Sequence, residues 1–366
     1  MDFIRNNILK IVGVFVILLV LIFVVKSCSG RGTTEKATGY TAMENQLQNA
    51  AIKYAKRNMS VLPKTTENVS KIQMSTIYGE KRMQKITAIE DKNTLCQGYV
   101  NIYKNNTSGY KFVPFIKCGK YYHTKSLVEQ ILNTQEIVTK DDGLYKDGDD
   151  YLYRGEYPNN YLKIGDRLYR IMNITSDNYL RVVSNDYIID SSVWDDRFNT
   201  EVQKEYGINN FMKSRLKKSL EDLFEKENEF ISDTEKNVIA KHDYCIGKRS
   251  MEDVIVEKNH ECDEVTEMYI AVPNVEDYFR ASISSECNDI NKNECNNYNY
   301  FQTMKFKTHT LNSVKNNTYA VYNVSRNGLD IKKANNYSFI NIVFYVNNNV
   351  IYKSGDGSLE NPYVIR

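Results

Sequence analysis

Residues 161–184 read YLKIGDRLYRIMNITSDNYLRVVS. Three runs rich in β-branched and aromatic residues, Tyr161–Ile164, Leu168–Ile174 and Tyr179–Ser184, are separated by Gly165-Asp166 and by Ser176-Asp177-Asn178. Gly-Asp and Ser/Asp/Asn clusters end strands and turn the chain, so the stretch predicts three short consecutive strands. Downstream, Phe211, Leu216, Leu220 and Leu223 recur near helical spacing, which predicts a helix over Phe211–Leu223 and a shorter one near Asp233–Lys241. Loops and short strands follow, ending in Phe339–Tyr352 and Tyr363–Ile365. Strands, then helices, then strands predict an α+β domain over 151–366, long enough to bury a sizeable core.

Upstream, residues 126–150 read as a connector: a short helix at Ser126–Asn133, then the acidic stretch Lys140–Asp150. Its aspartates lack the alternating ligands, central glycine and terminal glutamate of an EF-hand loop, so a solvated turn-rich linker is expected rather than calcium. Residues 40–125 form a smaller unit. Thr41-Ala-Met-Glu44 predicts a capping box opening a helix to about Arg57, with Met43, Leu47, Ala50, Ala51 and Tyr54 on one face. Two strand-like runs, Leu95–Lys104 and Lys111–Cys118, flank the turn Asn105–Gly109. Cys96 and Cys118 are equally distant from Thr107, so a hairpin closed there sets them opposite each other, where a disulfide fits.

Further upstream, Ile11–Val25 (IVGVFVILLVLIFVV) carries no charge or strong polar group and lies between Lys10 and Lys26. A bilayer-spanning helix takes roughly 20 apolar residues. Phe3, Ile4, Ile8 and Leu9 extend the run, and Lys10 can snorkel to the interface. Residues 1–26 therefore read as a membrane anchor and 27–39 as a polar linker; a cleaved signal peptide, or a lipoprotein site at Cys28, is the alternative. Apart from Cys28 the cysteines fall into three local pairs, Cys96/Cys118, Cys245/Cys262 and Cys287/Cys295, none with C-x-x-C spacing. Local pairing without metal spacing suits disulfides and hence an oxidising compartment, so the bulk of the chain is expected outside the cell.

A formal charge of +2 on 366 residues argues against a dedicated nucleic-acid surface. No G-x-S-x-G elbow, H-E-x-x-H, P-loop or dinucleotide fingerprint occurs. The four histidines, His123, His242, His260 and His309, share no helical spacing. His242 near Cys245 and His260 near Cys262 suggest a metal only if those cysteines are unbridged. The expectation is a chain without catalytic residues, cofactor or metal.

The smaller unit behind an apolar run resembles a pilin in outline, although no Gly-Phe-Thr-type processing site precedes the run. Tyr157-Pro-Asn-Asn-Tyr-Leu-Lys163, Leu168-Tyr-Arg-Ile171, Asn178-Tyr-Leu-Arg-Val-Val183, Trp194-Asp-Asp-Arg197 and Lys241-His-Asp-Tyr-Cys245 resemble, in that order, an uncharacterised family of Firmicutes surface proteins. Glu276-Asp-Tyr-Phe-Arg-Ala-Ser282, Asn297-Tyr-Asn-Tyr-Phe301, Val321-Tyr-Asn-Val-Ser-Arg-Asn-Gly328 and the ending Ser354-Gly-Asp-Gly-Ser-Leu-Glu-Asn-Pro-Tyr-Val-Ile365 continue the match. Cys96-x-Gly-Tyr-Val100 and Lys117-Cys-Gly-x-Tyr-Tyr122 are elements that often accompany it. The family is similar to the C-type-lectin-like fold, in the branch of formylglycine-generating enzymes and phage tropism determinants. The resemblance implies a ligand-presenting scaffold with long loops and with its first and last strands together, not a chemistry. Family members usually carry tryptophan where this chain has Tyr169, Tyr244, Phe301 and Tyr322. The calcium-lectin motifs Glu-Pro-Asn and Trp-Asn-Asp are absent.

Long loops on a rigid scaffold are where binding residues concentrate. The stretch Ser284–Phe301 sets Tyr298 and Tyr300 beside Asn296 and Asn297, a mixture suited to protein or glycan contact, unless Tyr300 and Phe301 belong to the core. Arg197, Arg249 and Arg326 are further candidates for the same surface, or for surface ion pairs. The expected function is a membrane-anchored surface protein with a non-catalytic, protein- or glycan-binding lectin-like domain. The alternatives are a structural or assembly component of the cell envelope and an enzyme whose site only long-range folding would assemble.

Overall fold

The computed structural model describes residues 39–366 apart from 67, 81–82, 227–229, 251–263, 285–286, 288–297 and 326. The expected anchor and nearly all of the linker lie outside the described residues, among which no helix is long and apolar enough to cross a membrane.

Helix α1 (Gly39–Arg57) buries Leu47, Ala50, Ala51 and Ala55. The capping box does not form. Helix α1 already runs from Gly39, so Thr41 lies inside it, and Glu44 is fully buried with its carboxylate turned to Tyr122, Thr124 and Arg366. Strand β1 (Val69–Gln73) and the short helix α2 (Met74–Gly79) lead to a hairpin of β2 (Gln97–Lys104) and β3 (Tyr110–Cys118). Its register runs from Gln97↔Lys117 to Lys104↔Tyr110 and so centres on Thr107, as the turn predicted. Cys96 and Cys118 are therefore opposed and joined by a disulfide, with Cα atoms 4.2 Å apart. With β4 (Tyr122–His123) the sheet order is β1-β2-β3-β4. Its core gathers Leu47, Ile72, Ile77, Val100, Ile102 and Ile116 around the disulfide.

The expected connector at 126–150 is instead part of the larger unit. Ser126 caps helix α3 (Leu127–Thr134) by accepting from Glu129 N at 3.1 Å, and Leu127, Val128 and Ile131 enter the large core. Strands β5 (Gly143–Asp147) and β6 (Asp150–Arg154) form a hairpin turned at Gly148, whose φ is +61°. The aspartates that suggested solvation hold backbone and cation partners. Asp142 accepts from Glu156 N and Tyr157 N at 2.9 and 3.0 Å, Asp150 from Ser176 N at 2.9 Å, and Asp147 pairs with Arg280. Between them Leu144 and Leu152 point inward.

Strands β7 (Tyr161–Ile164), β8 (Arg167–Ile174) and β9 (Leu180–Ser184) form the predicted triplet and pair antiparallel. After β10 (Ile189–Val193) and α4 (Glu201–Tyr206), the expected long helix begins only at Ser214, which caps α5 (Arg215–Glu225) by accepting from Lys217 N at 3.0 Å. Helix α6 (Asp233–Lys236) is shorter than expected because the next residues become β11 (Ile239–Ala240) and pair with Val346 and Tyr345. Strands β12 (His242–Cys245) and β13 (Val265–Met268) pair with each other, and α7 (Val275–Arg280) follows. Strands β14 (Lys307–Ser313), β15 (Ala320–Ser325) and β16 (Gly328–Lys333) make a separate sheet. The predicted 339–352 strand is split into β17 (Tyr337–Ile340), β18 (Val343–Val346) and β19 (Tyr352–Ser354). Buried Asn341 makes the first break, donating to the carbonyls of Ser184 and Lys305 at 3.1 Å each. Strand β20 (Tyr363–Ile365) returns to lie parallel to β7.

The main sheet runs β11-β18-β9-β8-β7-β20-β19, with the β5–β6 hairpin attached through β8. Its core is rich in aromatic side chains, including Trp194, Tyr169, Phe301, Phe306 and Phe344. Helices are few and short beside the sheets, and the fold is α+β.

Candidate ligand-binding groove

Among the described residues, those proposed for binding from sequence do not assemble one surface. Asn296, Asn297 and Arg326 lie outside the described residues, as do Cys262 and Cys295. Cys245 and Cys287 are each disulfide-bonded. Tyr298 is exposed, but Tyr300 and Phe301 belong to the core. Tyr300 is there for a reason: with Tyr161 it flanks the buried Arg170, whose guanidinium carbon lies 5.1 and 3.9 Å from the two ring centres. Arg170 bonds Asn160 and Thr303, and burial without a carboxylate partner pushes its guanidinium down to about 10. Arg197 lies bidentate on Asp195, at 2.7 and 2.9 Å. Arg249 is buried and held by its backbone to Ser313 and Lys315, so it does not join Arg197 on a surface. Burial overrode the loop reading at Tyr300 and Arg249 because an apolar ring or an aliphatic stem gains more inside than at the rim.

A hollow of about 570 Å³ opens instead where the two units meet. Its frame is backbone. Tyr352 N donates to the Lys125 carbonyl, Leu127 N to that of Val350, and Arg366 N to that of Ile351, each at 3.1 Å. The chain leaving β4 is thus laced to the chain entering β19, and that chain to the residue after β20. A second lacing fixes the units at another point: Asn106 Nδ2 donates to the carbonyls of Lys236 and Ile239, at 2.9 and 2.7 Å.

Beneath the groove sits Glu44, fully buried on α1. It pairs with Arg366 and accepts from Tyr122 Oη at 2.8 Å and from Thr124 Oγ1. A buried carboxylate is tolerable when paired and saturated with donors. Burial first, and then the Glu44 charge, raise the Tyr122 phenol far above its ordinary range, so it remains a neutral donor. His123 is taken up by Glu129 at 2.7 Å. By contrast Lys120, Lys125 and Lys353 line the hollow and pair with no carboxylate among the described residues. Tyr121 and Tyr352 supply ring faces beside them. The arrangement offers ammonium groups and aromatic side chains in one concavity, a set suited to holding an anionic ligand.

A second hollow, of about 620 Å³, lies against the Cys96 side of the small sheet, with Tyr78, Tyr99 and Phe115 in its wall. Among the described residues no three His, Cys, Asp or Glu side chains converge to hold a metal.

The sequence reading passed over this groove although two signals were present. Glu44 lies three residues before Leu47, a charge on an apolar stripe, and reading it as a capping residue hid that conflict. Lys117–Tyr122 stood out only as a family element. Comparison of the chain with protein-family models, with curated proteins and with solved structures finds no match in any of the three.

Proposed function

We propose that this chain is a membrane-anchored extracytoplasmic surface protein that binds a protein or carbohydrate ligand without catalysis. The observation that carries the reading is the cysteine chemistry: Cys96 is bridged to Cys118, and Cys245 and Cys287 are also disulfide-bonded. Disulfides persist in oxidising compartments, and the apolar run Ile11–Val25 supplies a route to one. In this reading the larger unit is a C-type-lectin-like scaffold and the smaller a pilin-like stalk. The return of the last strand, β20, to the early strand β7 is in keeping with the first, although β5 and β6 precede β7, and a helix lying on an antiparallel sheet supports the second.

The test is non-reducing peptide mapping of the protein extracted from native membranes, with free thiols alkylated first. Bridges at Cys96–Cys118, Cys245–Cys262 and Cys287–Cys295, on a chain retaining Met1–Val25, are the expected result. Alkylated thiols throughout would remove the compartment assignment and with it the reading.

A further inference from the structure

We propose that the groove between the two units takes a segment of an anionic polysaccharide, its acidic groups held by Lys120, Lys125 and Lys353 and its sugar rings laid against Tyr121 and Tyr352. The proposal rests on the reading of the chain as a non-catalytic binding protein and supplies the ligand class that the reading leaves open.

Charge is the first argument. A second basic cluster, around the start of α5, is largely neutralised in place: Arg197 by Asp195, Arg215 by Asp196, Lys217 by Glu221 and Lys218 by Asp222, with Lys213 beside them. Of the carboxylates beside the groove, Glu44 is consumed by Arg366, Tyr122 and Thr124, and Glu129 by His123. Lys120, Lys125 and Lys353 are left in the lining without a carboxylate partner among the described residues, the Lys120 ammonium lying over the Tyr121 ring at 5.5 Å from its centre. Like charges gathered in a concave wall repel one another, and a bound anion relieves that repulsion.

Shape is the second. A bilayer presents a flat surface, whereas this site is recessed, and its volume of about 570 Å³ holds a short stretch of chain. Tyr121 is 38% exposed and carries the Lys120 ammonium 5.5 Å from its ring centre, so ring and charge are presented side by side. Tyrosine beside lysine matches a polymer in which an apolar ring face alternates with a charged substituent. Preorganisation is the third. The lysines at 125 and 353 flank backbone hydrogen bonds that cross between the units, so the wall is already assembled before a ligand arrives.

The experiment measures binding of the full chain, in neutral detergent micelles, to hyaluronate, to neutral dextran, to polyphosphate and to vesicles containing anionic phospholipid. Hyaluronate is expected to bind, more weakly as salt rises, and dextran not to bind. The triple variant Lys120→Gln/Lys125→Gln/Lys353→Gln should lose roughly 10- to 100-fold in affinity, from three exposed charge contacts. The control triple Lys92→Gln/Lys140→Gln/Lys163→Gln makes the same change in net charge at exposed lysines elsewhere and should leave binding within about twofold. Tyr121→Ser should weaken hyaluronate but not polyphosphate.

Equal losses in the two triples would overturn the proposal, because net charge alone would then explain binding. So would tighter binding of polyphosphate that Tyr121→Ser leaves untouched, or binding to vesicles in the absence of binding to hyaluronate. Because the assay uses detergent-solubilised protein, its outcome is independent of whether the cysteines or the anchor behave as proposed.

Discussion

The two units stabilise themselves by different means. The smaller, built on α1 and the β2–β3 hairpin, has no aromatic ring among its described buried core residues, and three of the residues that α1 buries are alanines. It compensates with a covalent bridge and with Glu44, which ties its helix to Tyr122 and Thr124 and, through Arg366, to the larger unit. The larger unit packs rings of Trp, Tyr and Phe around a long mixed sheet and can therefore bury polar groups as well. Arg181 and Asp277 form an almost fully buried ion pair there, and His309 is wholly enclosed. A thin core depends on constraints added to the chain. A thick core depends on each buried polar group keeping its partner.

That contrast is broken most severely at Asp277. Asp277→Ala leaves the Arg181 guanidinium buried without its counter-charge and also removes the acceptor of Asn274 N, which Asp277 binds at 2.7 Å. The expected loss is about 3–5 kcal/mol in urea unfolding followed by near-ultraviolet circular dichroism, which reports the aromatic core. Cys96→Ser/Cys118→Ser removes a bridge across 22 residues and should cost about 3 kcal/mol, concentrated in the smaller unit. Hydrogen exchange should then accelerate across β2 and β3 while β8 and β9 stay protected; equal acceleration in both would mean that the units unfold together.

Acid sharpens the same distinction. Burial holds His309 down to about 4, well below its ordinary value of 6.5, and Nε2 keeps a bond to the Ser192 carbonyl at 3.1 Å. A histidine whose folded pKa is depressed favours the native state fully above the unfolded value and loses that advantage as pH falls. Stability should therefore drop by up to about 3 kcal/mol between pH 6.5 and 4, in the larger unit, and a His309→Gln variant should lose that slope. A drop that persists unchanged in the variant would assign the acid sensitivity elsewhere. The smallest effect is expected at Glu44→Gln, roughly 1–2 kcal/mol, because the amide still accepts from Tyr122 and Thr124 while Arg366 loses its charge partner. It should appear as faster exchange in α1 and at the chain following β4.

Where the sequence was legible, local chemistry and tertiary structure agreed. The Asn105–Gly109 turn fixed a register that placed Cys96 opposite Cys118, and the breaks at Gly165-Asp166 and Ser176-Asp177-Asn178 delimited β7, β8 and β9. The reading failed where a polar residue had a partner far along the chain. Aspartates at 142, 147 and 150 looked solvated because Tyr157, Arg280 and Ser176 are distant in sequence. Asn341 broke a predicted strand to satisfy carbonyls at Ser184 and Lys305. The groove was least legible of all. Lys353 lies more than two hundred residues from Lys120 and Lys125 in sequence, and the lacing of Lys125 to Tyr352 and of Arg366 to Ile351 brings them together.

The parallel pairing of β20 with β7 gives folding a direction in time. The smaller unit has all of its strands once the ribosome has passed His123, and its hairpin closes by contacts near in sequence. The main sheet must hold β7 open until Tyr363 emerges, a long-range closure that topology makes slow. Arg366 reaches Glu44 only after that, so the groove wall is completed only once β20 and the residue after it are in place. Occupancy of the groove would therefore register the docking of β20, and a chain stopped before β20 would carry the small unit intact yet lack the lacing that shapes the groove.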